Sequence, residues 1–480
     1  MSSNRLTLSS INKNYDLDKR SQNSEPPWFK EMRENVFSKY DQLPYEVSPL
    51  YTKYSDANKL RPEQVYLPKE KREYGANSDL KARIKELENE TGLLQVGSTV
   101  VESHIPEKFA KMGLVICDLT SAIKDHAELI KEYMNKNNID YSQDKFLSLT
   151  ASCFESGIFV YIPKNTIIDD NIRIINALPE DGSSSIARNM MIAEQGSKAT
   201  VVQEIYGSSS ISTNTPENVQ QSYFELLECH VGANANLEMV TIQAMDEKRC
   251  TNFSNRKAYI ERDGRLSWYL ALLGAQLSRY KIDSIMKGAG SSAEDVEILF
   301  GIGDQSFDVT SNLIHYGPSS RGRVLSKSVM KDSSKSLFKG MIKIGKEAVA
   351  TESYLAGHAV LLDKNAKSDA IPGLEIETNE VRATHSASVA QIDENQIYYL
   401  MTRGLGKDAA KREIVGGFLE PLSKKMGPTI RAWVNYLMES KWAGQPLMLK
   451  TDEAMEQMLE VEKSRYREVE DIFEKHYKYR

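Results

Sequence analysis

Residues 317–366 read GPSSRGRVLSKSVMKDSSKSLFKGMIKIGKEAVATESYLAGHAVLLDKNA, and the punctuation of this stretch decides the fold. Short runs rich in Val, Leu, Ile, Phe and Tyr alternate with small or charged turn segments at 317–320, 332–335, 345–348 and 363–366. The turns start 15, 13 and 18 residues apart, wider than the roughly 8–12 residues expected between strands of an antiparallel sandwich. Outward from this stretch, turn segments open at 195, 232, 262 and 288 on one side and at 378 on the other. The intervals are therefore 37, 30, 26 and 29 residues before residue 317 and 15 after residue 363, so the later spacing is half the earlier one. A repeat of this kind describes a chain that winds strand, turn, strand, turn, each coil burying its inward side chains on the next. The expectation is a mainly β protein with a right-handed parallel β-helix over residues 146–390. Its exposed end strands would need covers, and the helices on either side are the candidates.

Those helices are legible from apolar spacing. Pro26 and Pro27 suit a first helical turn, and Phe29, Met32, Val36 and Tyr40 then recur on one face. Residues 79–90 carry Leu80, Ile84 and Leu87, and a third helix follows Asp118 as its cap, with Leu119, Ile123, Ile130 and Tyr133. A mainly helical N-terminal domain is expected over 26–145, preceded by a polar disordered arm, 1–25. After the β region, Asp393 stands three residues before Gln396 as in a capping box, and the helix closes at Arg403-Gly404. Another runs from Asp408 to Phe418 and is expected to break at Pro421, and one more carries Ile430, Trp433, Val434 and Leu437. Together they make a C-terminal helical domain, 391–445. A charged amphipathic helix over 451–478 is expected within a last segment, 446–480.

Composition narrows the function. The 61 basic and 67 acidic residues give a net charge of -6 with no long block of either sign, which disfavours nucleic acid as partner. Mean hydropathy is -0.46, no apolar run approaches the ~18 residues of a spanning helix, and the N-terminus lacks an apolar signal core. A cytoplasmic location with no membrane partner is expected. Cys117, Cys153, Cys229 and Cys250 are spaced as no zinc site, ferredoxin site or compact disulfide framework is, and read as buried reduced thiols.

Three motifs invite chemistry. The string GMIKIGK at 340–346 has phosphate-loop spacing, but Glu347 replaces the Ser or Thr that would hold magnesium, and the context is strand to strand, so no nucleotide is expected on this chain. Glu375 and Glu377 would share a strand face as sugar-cleaving β-helix enzymes require, yet Leu374 and Ile376 alternate with them in the ordinary pattern of polar out, apolar in. His315, His358 and His385 fall in the second half of the repeat, where coils bring side chains into register; a solitary strand histidine is otherwise structural.

Residues 357–421 read GHAVLLDKNAKSDAIPGLEIETNEVRATHSASVAQIDENQIYYLMTRGLGKDAAKREIVGGFLEP. The Leu-Leu strand, the Pro-x-Leu-Glu-Ile strand, a His followed by small residues, an acid-rich turn, an aromatic-Leu-x-x-Arg-Gly helix end and a Gly-Phe helix end resemble, in that order, the C-terminal signature of the SufB/SufD family of iron–sulfur cluster assembly proteins. GIFVYIP at 157–163, LSW at 266–268, IHYG at 314–317 and residues 26–33 resemble other family segments, so the resemblance spans about residues 26–440. It implies a β-helix core with helical domains at both ends, a SufB-type paralogue or a second copy paired alongside, and one SufC-type ATPase docked on the C-terminal helices, with Gln396, Tyr399, Arg403 and Asp408 as contact candidates. It also implies a non-catalytic scaffold that shares a transient iron–sulfur cluster with its partner for acceptor apo-proteins, and leaves a reduced flavin open.

Within the family, SufB carries a cysteine in the strand before the Leu-Leu pair and a glutamate after the motif histidine. Here Gly357 and Ser386 stand at those positions. His385 remains, at the position of the SufD histidine, and is the candidate iron ligand at the subunit interface, with His358 as a second cluster-site candidate. The site positions are SufD-like, while LSW and IHYG are nearer to SufB. Two rival expectations are a carbohydrate-active β-helix enzyme and a structural homodimer without cluster chemistry.

Overall fold

The computed structural model describes residues 6–11, 25–45, 59–67, 78–137, 139–210, 219–451 and 456. Among them, eight parallel strands from Ile158–Ile162 to Lys367–Ile376 stack into one sheet, and eight from Ile167–Ala177 to Val381–Gln391 into a second. The chain alternates between the sheets, so each pair of strands is one coil of a β-solenoid of about eight turns. Pairing from coil to coil is in register: Trp268 stacks on Asp295, Asp295 on Val324, and Val324 on Leu355.

The punctuation seen in the sequence has a backbone cause. Where the chain leaves the first sheet for the second, one residue per turn takes a left-handed conformation: Asn165, Gly196, Asn234, Asp263, Gly290, Ser319 and Ala350. Asn, Asp and Gly tolerate that conformation best. The N–H of each bonds to the next coil, as from Asn234 to the Arg262 carbonyl at 2.9 Å and from Ser319 to the Val349 carbonyl at 2.8 Å. The turn residues thus form a ladder of their own, which explains why small and Asx residues recur at the interval of a coil.

Inward-facing side chains fill the space between the sheets with Trp268, Leu270, Ile282, Val309, Leu313, Val324, Ile342 and Leu355. The outer face of the second sheet presents Val296, Ile298 and Phe300 to the C-terminal helices Glu394–Thr402, Lys407–Ser423 and Pro428–Trp442. Phe224 and Phe253 on the outer face of the first sheet pack with Phe146, Phe29 and Tyr40 of the N-terminal helices.

Several expectations change here. The N-terminal third is not simply helical: Thr91–Val96, Thr99–His104 and Val115–Asp118 are strands that extend both sheets and close the first coil. Asp118 does cap a helix through the Ser121 N–H at 3.0 Å, but that helix stops at Asp125 and a second, Ala127–Asn137, begins beyond His126. Within the segment expected as a disordered arm, Leu6–Thr7 pair with Tyr66–Leu67, and Leu8 and Ile11 are buried. Pro421 lies inside the helix Lys407–Ser423 rather than ending it. A proline ring crowds the carbonyl four residues back, here that of Gly417, a residue at which a Cβ would meet nothing within 4 Å outside its own helix backbone. The helix expected over 451–478 falls outside the described residues except for positions 451 and 456.

The largest change concerns the ends. The helices cover sheet faces, because the outward Val296, Ile298 and Phe300 offer more apolar area than the rim of one coil. The last coil, Lys367–Ile376 with Val381–Gln391, is left largely exposed.

Candidate functional site

The open end carries the candidate histidine. In the parallel register His385 lies on Leu355, Ala387 on Gly357 and Val389 on Ala359. Leu355 is wholly buried in the interior, so His385 shares its inward face and is exposed only because no coil follows. Leu374 and Ile376 continue the buried columns of Ile342 and Ile344 in the same way, yet are 40% and 41% exposed, and Val389 is 43% exposed. Among the described residues nothing closes the interior of the solenoid at this end, where Leu374, Ile376, Val389 and the His385 imidazole are exposed and Ala370, Val381 and Ala383 are partly buried.

Gly357 is also inward-facing, and a Cβ built on it would overlap the ring of Phe338 from the facing sheet. The space a side chain would take there is filled by Phe338, which is 7% exposed. Ser386 pairs with Ala356 and lies on the opposite face from Gly357 and His385. His358 is on that outer face too, its Nδ1 2.7 Å from the Ser388 hydroxyl. Partial burial, and then the Lys327 ammonium, hold its pKa below the usual imidazole value. Lys327 also donates to the Phe418 carbonyl at 2.5 Å, which ties the helical domain to the sheet beside His358. The two candidate histidines thus sit on opposite faces of neighbouring strands and are not brought together.

His315 belongs to the first sheet and is fully buried, bonded to Ser320 at 2.8 Å and Ser353 at 3.0 Å. Burial pushes its pKa down to about 4, so it is a neutral interior group. Among the described residues no three His, Cys, Asp or Glu side chains come together as a ligand set. Glu375 pairs with Lys343 at 2.7 Å, as on an ordinary solvated strand face. The 340–346 string runs from the strand Lys335–Ile344 into a turn, and the next element is the strand Thr351–Leu361.

On the helical domain, Asp393 caps Glu394–Thr402 through the Asn395 N–H at 2.8 Å, and Ile397 is the residue of this helix buried against the solenoid. Gln396 is exposed, as are Tyr398 (69%), Tyr399 (56%) and Met401 (43%). Arg403 donates to the Tyr399 hydroxyl at 3.2 Å and lies 5.1 Å from its ring centroid, so the two present one joined surface feature. Asp408 is differently placed: it accepts from Trp442 Nε1 at 3.2 Å and pairs with Arg412 at 3.0 Å, joining the last two helices.

Sequence reasoning missed the polar interior. Glu225 and Arg256 form a buried pair at 3.1 Å, and Arg256 also bonds Thr241 and Gln203. Further along, Asp295 and Glu297 are wholly buried on the inward columns of Trp268 and Leu270. Glu297 accepts from Ser311, and burial raises both carboxyl pKa values, that of Asp295 well above the usual range. In the string SAEDVEILFG nothing marks these two acids as different from outward Glu294; only strand register does.

Fold and site together define a β-solenoid protein with helices on both outer faces and one coil left open to further strands. The chain belongs to the SufBD family: the SufBD core domain of SUF-system FeS cluster assembly matches residues 174–418, and the SufBD protein N-terminal region matches residues 15–174. Its role accordingly lies in iron–sulfur cluster assembly. The iron–sulfur cluster assembly protein SufD of Bacillus subtilis is 26% identical over 426 residues, 88% of this chain and 95% of the relative. SufBD family proteins of Staphylococcus epidermidis and Staphylococcus haemolyticus are each 25% identical over 354 residues, 73% of either chain. No helix among the described residues is long and apolar enough to cross a membrane.

Proposed function

We propose that this chain is the SufD-like half of a shared cluster-building site. It pairs through its open coil with a SufB-type paralogue, or with a second copy, and contributes His385 to a nascent iron–sulfur cluster held between the two. The observation that carries this reading is the position of His385, an inward-facing imidazole at an end of the solenoid that no helix among the described residues covers. Edge strands with free backbone groups invite pairing, and Leu374, Ile376 and Val389 supply apolar area for it. A single imidazole is a reasonable iron ligand but an incomplete set, so the remaining ligands belong to the partner. With Phe338 filling the space beside Gly357, this chain offers no thiol of its own there.

The exposed Tyr399–Arg403 pair and Gln396 form the docking surface for a SufC-type ATPase, which performs the hydrolysis while this chain acts as a non-catalytic scaffold. Its closure is transmitted through the helical domain, which Lys327 joins to the strand Arg321–Met330, two strands from the end of the second sheet. Co-expression with a SufB-type paralogue and a SufC-type ATPase tests the reading. A stable three-component complex is expected, and failure of this chain to associate with either protein overturns it.

A further inference from the structure

The outer face of the second sheet carries a groove of about 760 Å³ over the first residues of its strands, beside the part that the C-terminal helices cover. The proposed role in cluster assembly does not use it. Its floor is set by register. Asn236, Arg265, Ser292, Arg321, Glu352 and Arg382 follow one another across six successive strands, each stacked on the next. Arginines therefore stand on alternate strands, about 9.6 Å apart, twice the inter-strand spacing. Two residues further along the same strands, a second row brings Glu238, Glu294, Arg323 and Tyr354. The acids of the floor are already engaged. Glu294 pairs at 2.7 Å with Lys425, just beyond the helix Lys407–Ser423, and Glu238 accepts from the Thr200 hydroxyl at 3.1 Å. Glu352 lies 3.9 Å from Arg321 and 3.7 Å from Arg382, long contacts between exposed side chains that a closer carboxylate can replace. Arg265 and Arg323 are in no ion pair among the described residues. Arg382 is on the opposite face of the terminal strand from His385, so the groove is separate from the cluster site.

Exposure and spacing select the occupant. Arg321 is 75% and Arg382 86% exposed, so the strip lies open to water and encloses no small molecule. A nucleic acid duplex carries a charge about every 1.7 Å and would press phosphates onto Glu238, Glu294 and Glu352 as well as onto the arginines. In an α-helix, residues seven apart share one face and rise about 10.5 Å, within about 1 Å of the arginine interval. Carboxylates at that spacing meet the arginines and pass over the acids between them. We infer that this groove docks an acidic α-helix of a partner protein, laid along the solenoid axis with carboxylates seven residues apart on Arg265, Arg321 and Arg382. Arginine suits this role because its planar fork can hold a carboxylate through two hydrogen bonds.

Fluorescence anisotropy on the full chain at low ionic strength tests this with labelled alanine–glutamine helices of about 20 residues. One peptide carries a glutamate at every seventh residue, a second as many at every fifth, and a third none; a duplex oligonucleotide is the competing polyanion. The first should bind saturably and at least about tenfold more tightly than the second, whose carboxylates cannot all face the row. The third should not bind, and the oligonucleotide should bind more weakly than the first. Arg321→Glu should abolish binding of the first peptide with an unchanged circular dichroism spectrum, and Arg321→Lys should retain it. Lys335→Glu, the same change of charge at an exposed position on the first sheet, should have no effect. The inference is overturned if the first peptide does not saturate, or if any of the other three ligands binds as tightly. It is equally overturned if Arg321→Glu leaves the affinity unchanged or Lys335→Glu lowers it as much. Self-association of the chain that Arg321→Glu removes, seen by sedimentation, would give the groove to a second copy and overturn it too. None of these outcomes depends on the partners proposed above.

Discussion

His385, on the terminal strand of the solenoid's second sheet, lies directly on Leu355 in the parallel ladder, so a core column terminates in an exposed imidazole. Every earlier member of the inward columns is covered by the next coil. This one is covered by nothing that the chain itself supplies among the described residues, and that vacancy makes it available to a partner.

If the open coil is the pairing surface, a charge placed on its apolar lining should block assembly without unfolding the chain. Val389→Lys is expected to leave the thermal midpoint within a degree or two, since the residue is 43% exposed, and to abolish co-purification with the SufB-type paralogue. Association at wild-type levels would remove this surface from the account.

Phe338 and Gly357 should be energetically coupled. Gly357→Ala inserts a methyl group into the Phe338 ring and is expected to destabilise by about 1–3 kcal/mol in urea unfolding. Phe338→Ala removes the obstacle, so in the double variant the alanine at 357 should cost much less than it does alone. Strict additivity would show that the ring does not occupy that space.

Burial, with Glu297 next for Asp295, keeps the Asp295 and Glu297 carboxyls protonated in the folded chain above their ordinary range. Because both folded pKa values are raised, the folded state holds protons that the unfolded state releases. Their contribution is complete below the unfolded carboxyl pKa of about 4 and is lost as pH rises toward the folded values. Asp295→Asn, neutral at every pH, should therefore gain stability relative to the parent between pH 5 and pH 8, measured by urea midpoint. A pH-independent difference would mean that Asp295 is not held protonated.

Tyr399 and Asp408 should separate docking from packing. Tyr399→Ala is expected to weaken ATPase association at least about tenfold, as truncating a central aromatic anchor does, with little change in stability. Asp408→Ala should instead lower the stability of the helical domain, because it leaves Trp442 and Arg412 without their shared acceptor. Equal effects of the two on docking would contradict the division.

The solenoid was legible because its turns are forced. Asn234, Asp263, Gly290 and Ser319 must enter the left-handed region once per coil, and the residues that tolerate it spaced the sequence visibly. The family signature was legible because it is contiguous, from Gly357 to Pro421. The strands that close the N-terminal end were not, because Thr91–Val96 and Val115–Asp118 are short and take their meaning from neighbours forty or more residues away in sequence. Nor were the faces: His358 and His385 look equivalent in the string, and register alone puts one outward beside Lys327 and the other inward above Leu355. Asp295 stayed hidden for the same reason, since an acid between Glu294 and Val296 reads as surface until its column is known to be that of Trp268.

The central claim rests on one side chain. Anaerobic reconstitution of the purified three-component complex, with His385→Ala in this chain and the extent of cluster formation followed by absorbance, tests it most directly. His385 is exposed on the terminal strand, so the complex should assemble intact and cluster formation should fall to background. Cluster formation undiminished by His385→Ala would contradict the account.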